Sequence, residues 1–231
     1  MSISTFAIAS AFLLSTFAMN AQASQTWTVT TQGKINSGYD TTGVFGTVGQ
    51  NLQGLSFTQS ITASVDPKQW EFYSIGGYKQ EVHGHGPGFI DTVTVNGHSV
   101  TFSATSTTSQ GQQYLSDDIS QGKKGRDPDQ IFSNQIGMTA AGDSLHSYQF
   151  ASSNYTAFVP TWDFGQTISQ DTTDKTFNDG AVFQISGHQT ARFAGVVDHI
   201  SINAVPEPDT YAMLLAGMGL ISVIARRRVK T

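Results

Sequence analysis

Apolar and polar residues alternate with a period of two in short stretches along most of this 231-residue chain. The stretches are 27–30, 55–63, 70–75, 90–95, 98–102, 147–151, 181–185 and 196–202, with Gly, Asn and Asp punctuating between them. A period of two places successive side chains on opposite faces of a strand, so each stretch predicts a half-buried antiparallel strand. Seven or more such strands predict one all-β domain, a single jelly-roll-like β-sandwich. The clearest local signal is Asn96-Gly97 between two alternating runs, because both central positions of the favoured hairpin turn need positive φ. Residues 105–145 break the pattern. They are rich in Ser, Gln, Gly and Asp, and there Tyr114-Leu115 and Ile131-Phe132 mark short strands without an assigned place.

The two ends follow another rule. Residues 6–19 are mostly apolar and lead into Ala21-Gln22-Ala23. Small residues at such a site predict a secretory signal peptide over 1–23, cut after Ala23. The first five residues contain no Lys or Arg, a departure from the usual basic start. At the other end, 211–225 carries no charge and no proline and is built from helix-favouring Ala, Met, Leu and Ile. As a helix it would span about 22 Å, short of the roughly 30 Å of a bilayer's hydrocarbon. Arg226, Arg227 and Arg228 complete the span, since guanidinium groups snorkel to headgroups and stay on the cytoplasmic side. Before the helix, Pro206-Glu207-Pro208 fixes an extended, non-helical segment open to a processing enzyme. The chain thus divides into a leader (1–23), an ectodomain (24–205) and a tail (206–231).

Pro206-Glu207-Pro208, the apolar run through Met213 and Leu220, and the Arg cluster together resemble a PEP-CTERM sorting signal. The resemblance covers about a tenth of the chain. It implies an exported Gram-negative protein, held briefly in the inner membrane and processed by an exosortase, a membrane-embedded cysteine transpeptidase. Delivery to the cell surface or the exopolysaccharide matrix follows from the same resemblance. A second likeness covers about 60 residues from Gly38, where Gly38, Gly43, Gly46, Gly49 and Gly54 before Phe57-Thr58, with the later Val95-Asn96-Gly97, resemble the opening of many secreted bacterial β-domains. It implies no activity. The glycines are expected in tight turns, with Val44, Phe45 and Leu52 packing at the sandwich edge.

Composition narrows the function. The chain has no Cys, so neither a disulfide nor a thiol nucleophile is available. Its net charge is −5, and four of its twelve Lys and Arg lie in the tail, leaving the ectodomain more acidic than the whole. Such a surface repels nucleic acid.

Several groups have the right residue types for chemistry. His83 and His85, two apart on a strand, share a face and would hold zinc if Glu81 or Asp91 supplied a third ligand. Asp171, Asp174, Asn178 and Asp179 offer hard oxygens to calcium, though without the spacing of a helix-loop-helix site. Asp117, Asp118, Asp127 and Asp129 bracket Lys123, Lys124 and Arg126 in a charged loop. Trp70, Tyr73 and Tyr78, with Phe72 nearby, would form a platform for sugar rings, and Trp162 is of similar character. Glycine-flanked serine elbows and zinc-protease helices are missing. The expectation is a non-enzymatic surface or matrix protein without a cofactor. A carbohydrate-binding module is the alternative, and a polysaccharide-modifying enzyme the third reading.

Overall fold

The computed structural model describes residues 25–65, 71–75, 79–85, 88–103, 109–117 and 128–205. Thirteen strands occupy them, and no helix occurs among the described residues. In chain order they are β1 (Gln25–Asp40), β2 (Gln50–Asn51), β3 (Ser56–Val65), β4 (Glu71–Ile75), β5 (Lys79–His85), β6 (Phe89–Val95) and β7 (His98–Ser103). There follow β8 (Gln110–Ser116), β9 (Asp129–Met138), β10 (Ser144–Ser153), β11 (Ile168–Asp171), β12 (Phe177–Ser186) and β13 (Ala191–Val205).

All strand pairs are antiparallel, and they form one unbroken path, β4-β5-β8-β9-β10-β12-β13-β1-β3-β6-β7, with β2 and β11 attached to β1 and β13. The all-β expectation stands. In place of a jelly-roll-like sandwich, the strands form a single sheet, curled so that β8–β10 face β1, β3 and β6 across a common core. Between β6 and β7 the expected hairpin is present, with φ of 50° at Asn96 and 85° at Gly97.

The core is apolar at one end and mixed at the other. Phe183 packs against Phe45 and Phe193, with centroids 5.6 and 5.7 Å apart, and Phe57 approaches Phe193 at 5.2 Å. Phe45 and Leu52 from the glycine-rich segment are buried as expected, and Val44 packs on the core. That segment is held by Asp40, whose carboxylate accepts the backbone N–H groups of Gly43, Val44 and Phe45 at 2.7–2.9 Å. Towards the far end, Trp27 stacks on Phe164 at 4.4 Å.

Between these aromatic ends, glutamines cross the core. Gln113 on β8 donates to the Ile61 carbonyl at 3.0 Å and to Ser133 Oγ at 2.6 Å, and it accepts from the Trp27 indole. Gln149 on β10 donates to the Val29 carbonyl at 2.6 Å and accepts from Thr31 at 2.7 Å. Gln135 on β9 reaches the Phe89 carbonyl at 3.0 Å. Each bond gives only about 0.5–1.5 kcal/mol net, but removing one end would leave a buried group unpaired at about 1–3 kcal/mol.

This mixed core explains the main departure from the sequence reading. The strands expected at Tyr114-Leu115 and Ile131-Phe132 are present as β8 and β9, but they are longer than expected and lie in the middle of the path. Their buried positions include Gln113, Ser133 and Gln135, so the apolar signature of a core strand is diluted. β1 also runs longer than expected, bending at irregularities beside Gly33 and Ile35. A Cβ at Gly33 would lie 1.9 Å from the Val196 carbonyl oxygen, so only glycine lets β13 approach there.

Candidate functional site

Three adjacent strands turn their aromatic residues outward. On β8, Gln113 is buried while Tyr114 faces out; on β9, Ser133 is buried while Phe132 faces out; on β10, Ser147 and Gln149 are buried while Tyr148 and Phe150 face out. Strand register puts Glu81, Tyr114, Phe132 and Phe150 directly opposite one another in a single row across β5, β8, β9 and β10. The Tyr114 and Phe132 rings stack at 4.8 Å and 14°. Tyr148 and Phe150 follow at 6.4 Å and 29°. All four side chains are half-buried, leaving ring surface exposed.

The next row, two residues along each strand, is polar: His83, Gln112 and Asn134 lie opposite one another and lead to Tyr148. With Glu81 they line a groove of about 280 Å³. Glu81 is its electrostatic centre. Its carboxylate lies 2.9 Å from Lys79 Nζ, accepts from Gln112 Nε2 at 2.7 Å, and sits 3.3 Å from His83 Nδ1. Burial raises its pKa, but Lys79, Gln112 and His83 outweigh that and hold the carboxyl below its usual range. Lys79 Nζ also stands 4.1 Å above the Tyr114 ring, a cation–π contact. Burial, with the Glu81 charge nearby, pushes the Tyr114 hydroxyl up to about 12, so it stays a neutral donor. Asn134 Oδ1 has no hydrogen-bond partner among the described residues.

Of the residues proposed for sugar contact, Trp70 and Tyr78 lie outside the described residues. Tyr73 falls on β4 opposite Glu81, at the end of the aromatic row. Trp162 is half-buried, and its neighbour Phe164 fills the core against Trp27. The residues that do form the face were missed because sequence reasoning seats aromatics inward. The available signal was alternation of Gln or Ser with aromatics over 112–115, 131–135 and 147–150.

The metal readings find no assembled site. Among the described residues no three His, Asp or Glu side chains gather to hold an ion. His83 lines the groove beside Glu81, whereas Asp91 on β6 is buried in the core, so Asp91 is not its ligand partner. The His85 side chain lies outside the described residues, as do Asp118, Lys123, Lys124, Arg126 and Asp127. The acidic residues proposed for calcium are separately engaged. Asp174 accepts the Thr176 N–H at 3.0 Å, Asp179 accepts the Val197 N–H at 2.7 Å, and Asp171 contacts His199 at 2.7 Å. Asp129 accepts the N–H groups of Phe158 and Val159, a structural clamp.

One arrangement escaped the sequence altogether. Ser169 and Asp171 on β11 flank His199 on β13, with Ser169 Oγ 3.2 Å from Nε2 and Asp171 Oδ1 2.7 Å from Nδ1. The atom order is that of a Ser-His-Asp triad. However, the Asp171 side chain is 83% exposed, and Ser169 itself is open on the surface. Water competes for both partners there, so the set is a surface hydrogen-bond chain.

The processing residues Ala21, Ala23, Pro206, Glu207, Pro208, Arg226, Arg227 and Arg228, with the expected helix 211–225, lie outside the described residues. What is described is the junction: β13 runs to Val205, opposite Thr26 on β1. Residues 204–228 match the family model for the PEP-CTERM protein-sorting motif, which therefore begins within the last strand. No curated protein and no solved structure matches the chain. The class that the motif defines is the exported protein with a membrane-anchored intermediate. This chain carries the motif, which implies export and processing by an exosortase.

Proposed function

We propose that the protein is a non-enzymatic component of the exopolysaccharide matrix or outer cell surface. In this reading residues 1–23 are the leader and 24–205 the body. Residues 206–231 are a transient anchor, with its helix at 211–225 and Arg226–Arg228 at the inner leaflet. The observation that carries the reading is the sorting motif at 204–228, joined without a linker to a central strand of a many-stranded sheet. The water-exposed setting of Ser169 and Asp171 supports a structural over a catalytic role.

The test is fractionation of producing cells. Changing Pro206, Glu207 and Pro208 to alanine is expected to leave a full-length species in the inner membrane and to deplete the matrix fraction. The wild-type protein is expected in exopolysaccharide, shortened at both ends by mass spectrometry. Unchanged surface delivery of the alanine variant would overturn the reading, as would an intact 231-residue protein in the cytosol.

A further inference from the structure

We propose that the outer face of β8, β9 and β10 binds an uncharged polysaccharide, seating sugar C–H groups against Phe132 and Tyr148 and sugar hydroxyls in the adjoining groove. The proposal rests on the matrix reading above and names what the body would hold there.

The inverted polarity of these strands is the first support. Burying Gln113, Ser133 and Gln149 while exposing Tyr114, Phe132 and Tyr148 forgoes hydrophobic burial. Sequences that break a local rule in this way do so where a surface has a task. The second support is chemical pairing. A pyranose ring has apolar C–H faces and hydroxyls around its edge, so it needs a flat ring beside planar hydrogen-bonding groups. Here stacked rings 4.8 Å apart adjoin a groove of about 280 Å³. In that groove Asn134 and Gln112 supply side-chain amides and Glu81 a carboxylate.

Charge selects the neutral polymer. Lys79 is neutralised by Glu81 at 2.9 Å, the chain carries −5 overall, and among the described groove residues there is no Lys or Arg to compensate a polyanion. A lipid surface is disfavoured by the polar row of His83, Gln112 and Asn134 and by the Glu81 charge beside it, whose removal from water is costly.

The test is affinity electrophoresis and calorimetry of the purified mature protein with hydroxyethyl cellulose, galactomannan and xylan, against polygalacturonate as the charged probe. Saturable binding to at least one neutral polymer is expected. Phe132→Ala should weaken it by roughly tenfold, the scale of losing one ring contact. Because Phe132→Ala also removes packing, Gln112→Ala and Asn134→Ala serve as second variants, expected to weaken binding while the melting temperature, read in parallel, shifts less than in Phe132→Ala. Arg192→Ala, in a separate groove beside Tyr39 and Gln184, should bind as wild type. No binding to any neutral polymer, preference for polygalacturonate, or loss on Arg192→Ala alone would each overturn the proposal. Matrix delivery without glycan binding would sink this proposal only, whereas binding without matrix delivery would sink only the matrix reading.

Discussion

Thr26 and Val205 stand opposite each other on β1 and β13, so the body of the protein begins and ends side by side. The strand that leads into the sorting motif is paired on one edge with β1 along its length and on the other with β12 and β11. A tether attached at Val205 therefore pulls along a central strand, where many hydrogen bonds share the load in shear. The first and last strands thus lie side by side, and the aromatic face of β8–β10 lies on other strands of the path.

Close approach of β1 and β13 depends on Gly33. Gly33→Val would drive a side chain into the Val196 carbonyl, which a Cβ would meet at 1.9 Å. The expected loss is about 1–3 kcal/mol or more, as for other overpacked sites, read as a lower urea midpoint with unchanged slope. An unaltered midpoint would mean that the strands separate there at no cost.

Asp91 makes stability depend on pH. Burial pushes its carboxyl up to about 7 from 3.8, and the nearby Ser147 hydroxyl only partly offsets this. Neither carboxyl oxygen has a hydrogen-bond partner among the described residues, and Gln59, which donates to Ser147 at 2.6 Å, leaves its own Oε1 unpaired. Between pH 3.8 and about 7 the folded state keeps a proton that the unfolded chain releases, so stability falls as pH rises through that window. Asp91→Asn should remove the penalty, making the variant more stable than wild type at pH 8 by on the order of 4 kcal/mol. The advantage should shrink towards pH 4, and urea titrations at both pH values would reveal an equal offset if the idea is wrong.

Gln113 joins three elements through Trp27, Ile61 and Ser133. Gln113→Ala opens a cavity and strands an indole N–H, a carbonyl and a hydroxyl, with an expected loss of about 2–5 kcal/mol. Gln113→Met keeps the volume and isolates the polar part. Equal stability of Gln113→Met and wild type would show that the bridging bonds contribute nothing net.

Ser169, His199 and Asp171 supply a check on the non-enzymatic reading. A fluorophosphonate probe should leave Ser169 unlabelled, and Ser169→Ala should release p-nitrophenol from p-nitrophenyl acetate at the wild-type rate. Labelling at Ser169 that vanishes in His199→Ala would establish an activated serine and a hydrolase.

The sorting address, the Asn96-Gly97 hairpin and the β class were legible because each is local. A proline pair, a turn needing positive φ, and a two-residue period are written in adjacent residues. The glycine-rich opening was legible for the same reason, with Phe45 and Leu52 buried as their setting required. Which face of β8, β9 and β10 points inward was not. Alternation reveals two faces but not which is buried, and a shift of one residue exchanges them. That choice is made by partners distant along the chain: Gln113 finds the Ile61 carbonyl 52 residues away, and Gln149 finds that of Val29 at a separation of 120. Only the curled sheet brings those carbonyls into reach. Once the amides are satisfied inside, Tyr114, Phe132, Tyr148 and Phe150 are left on the outside, where the site lies.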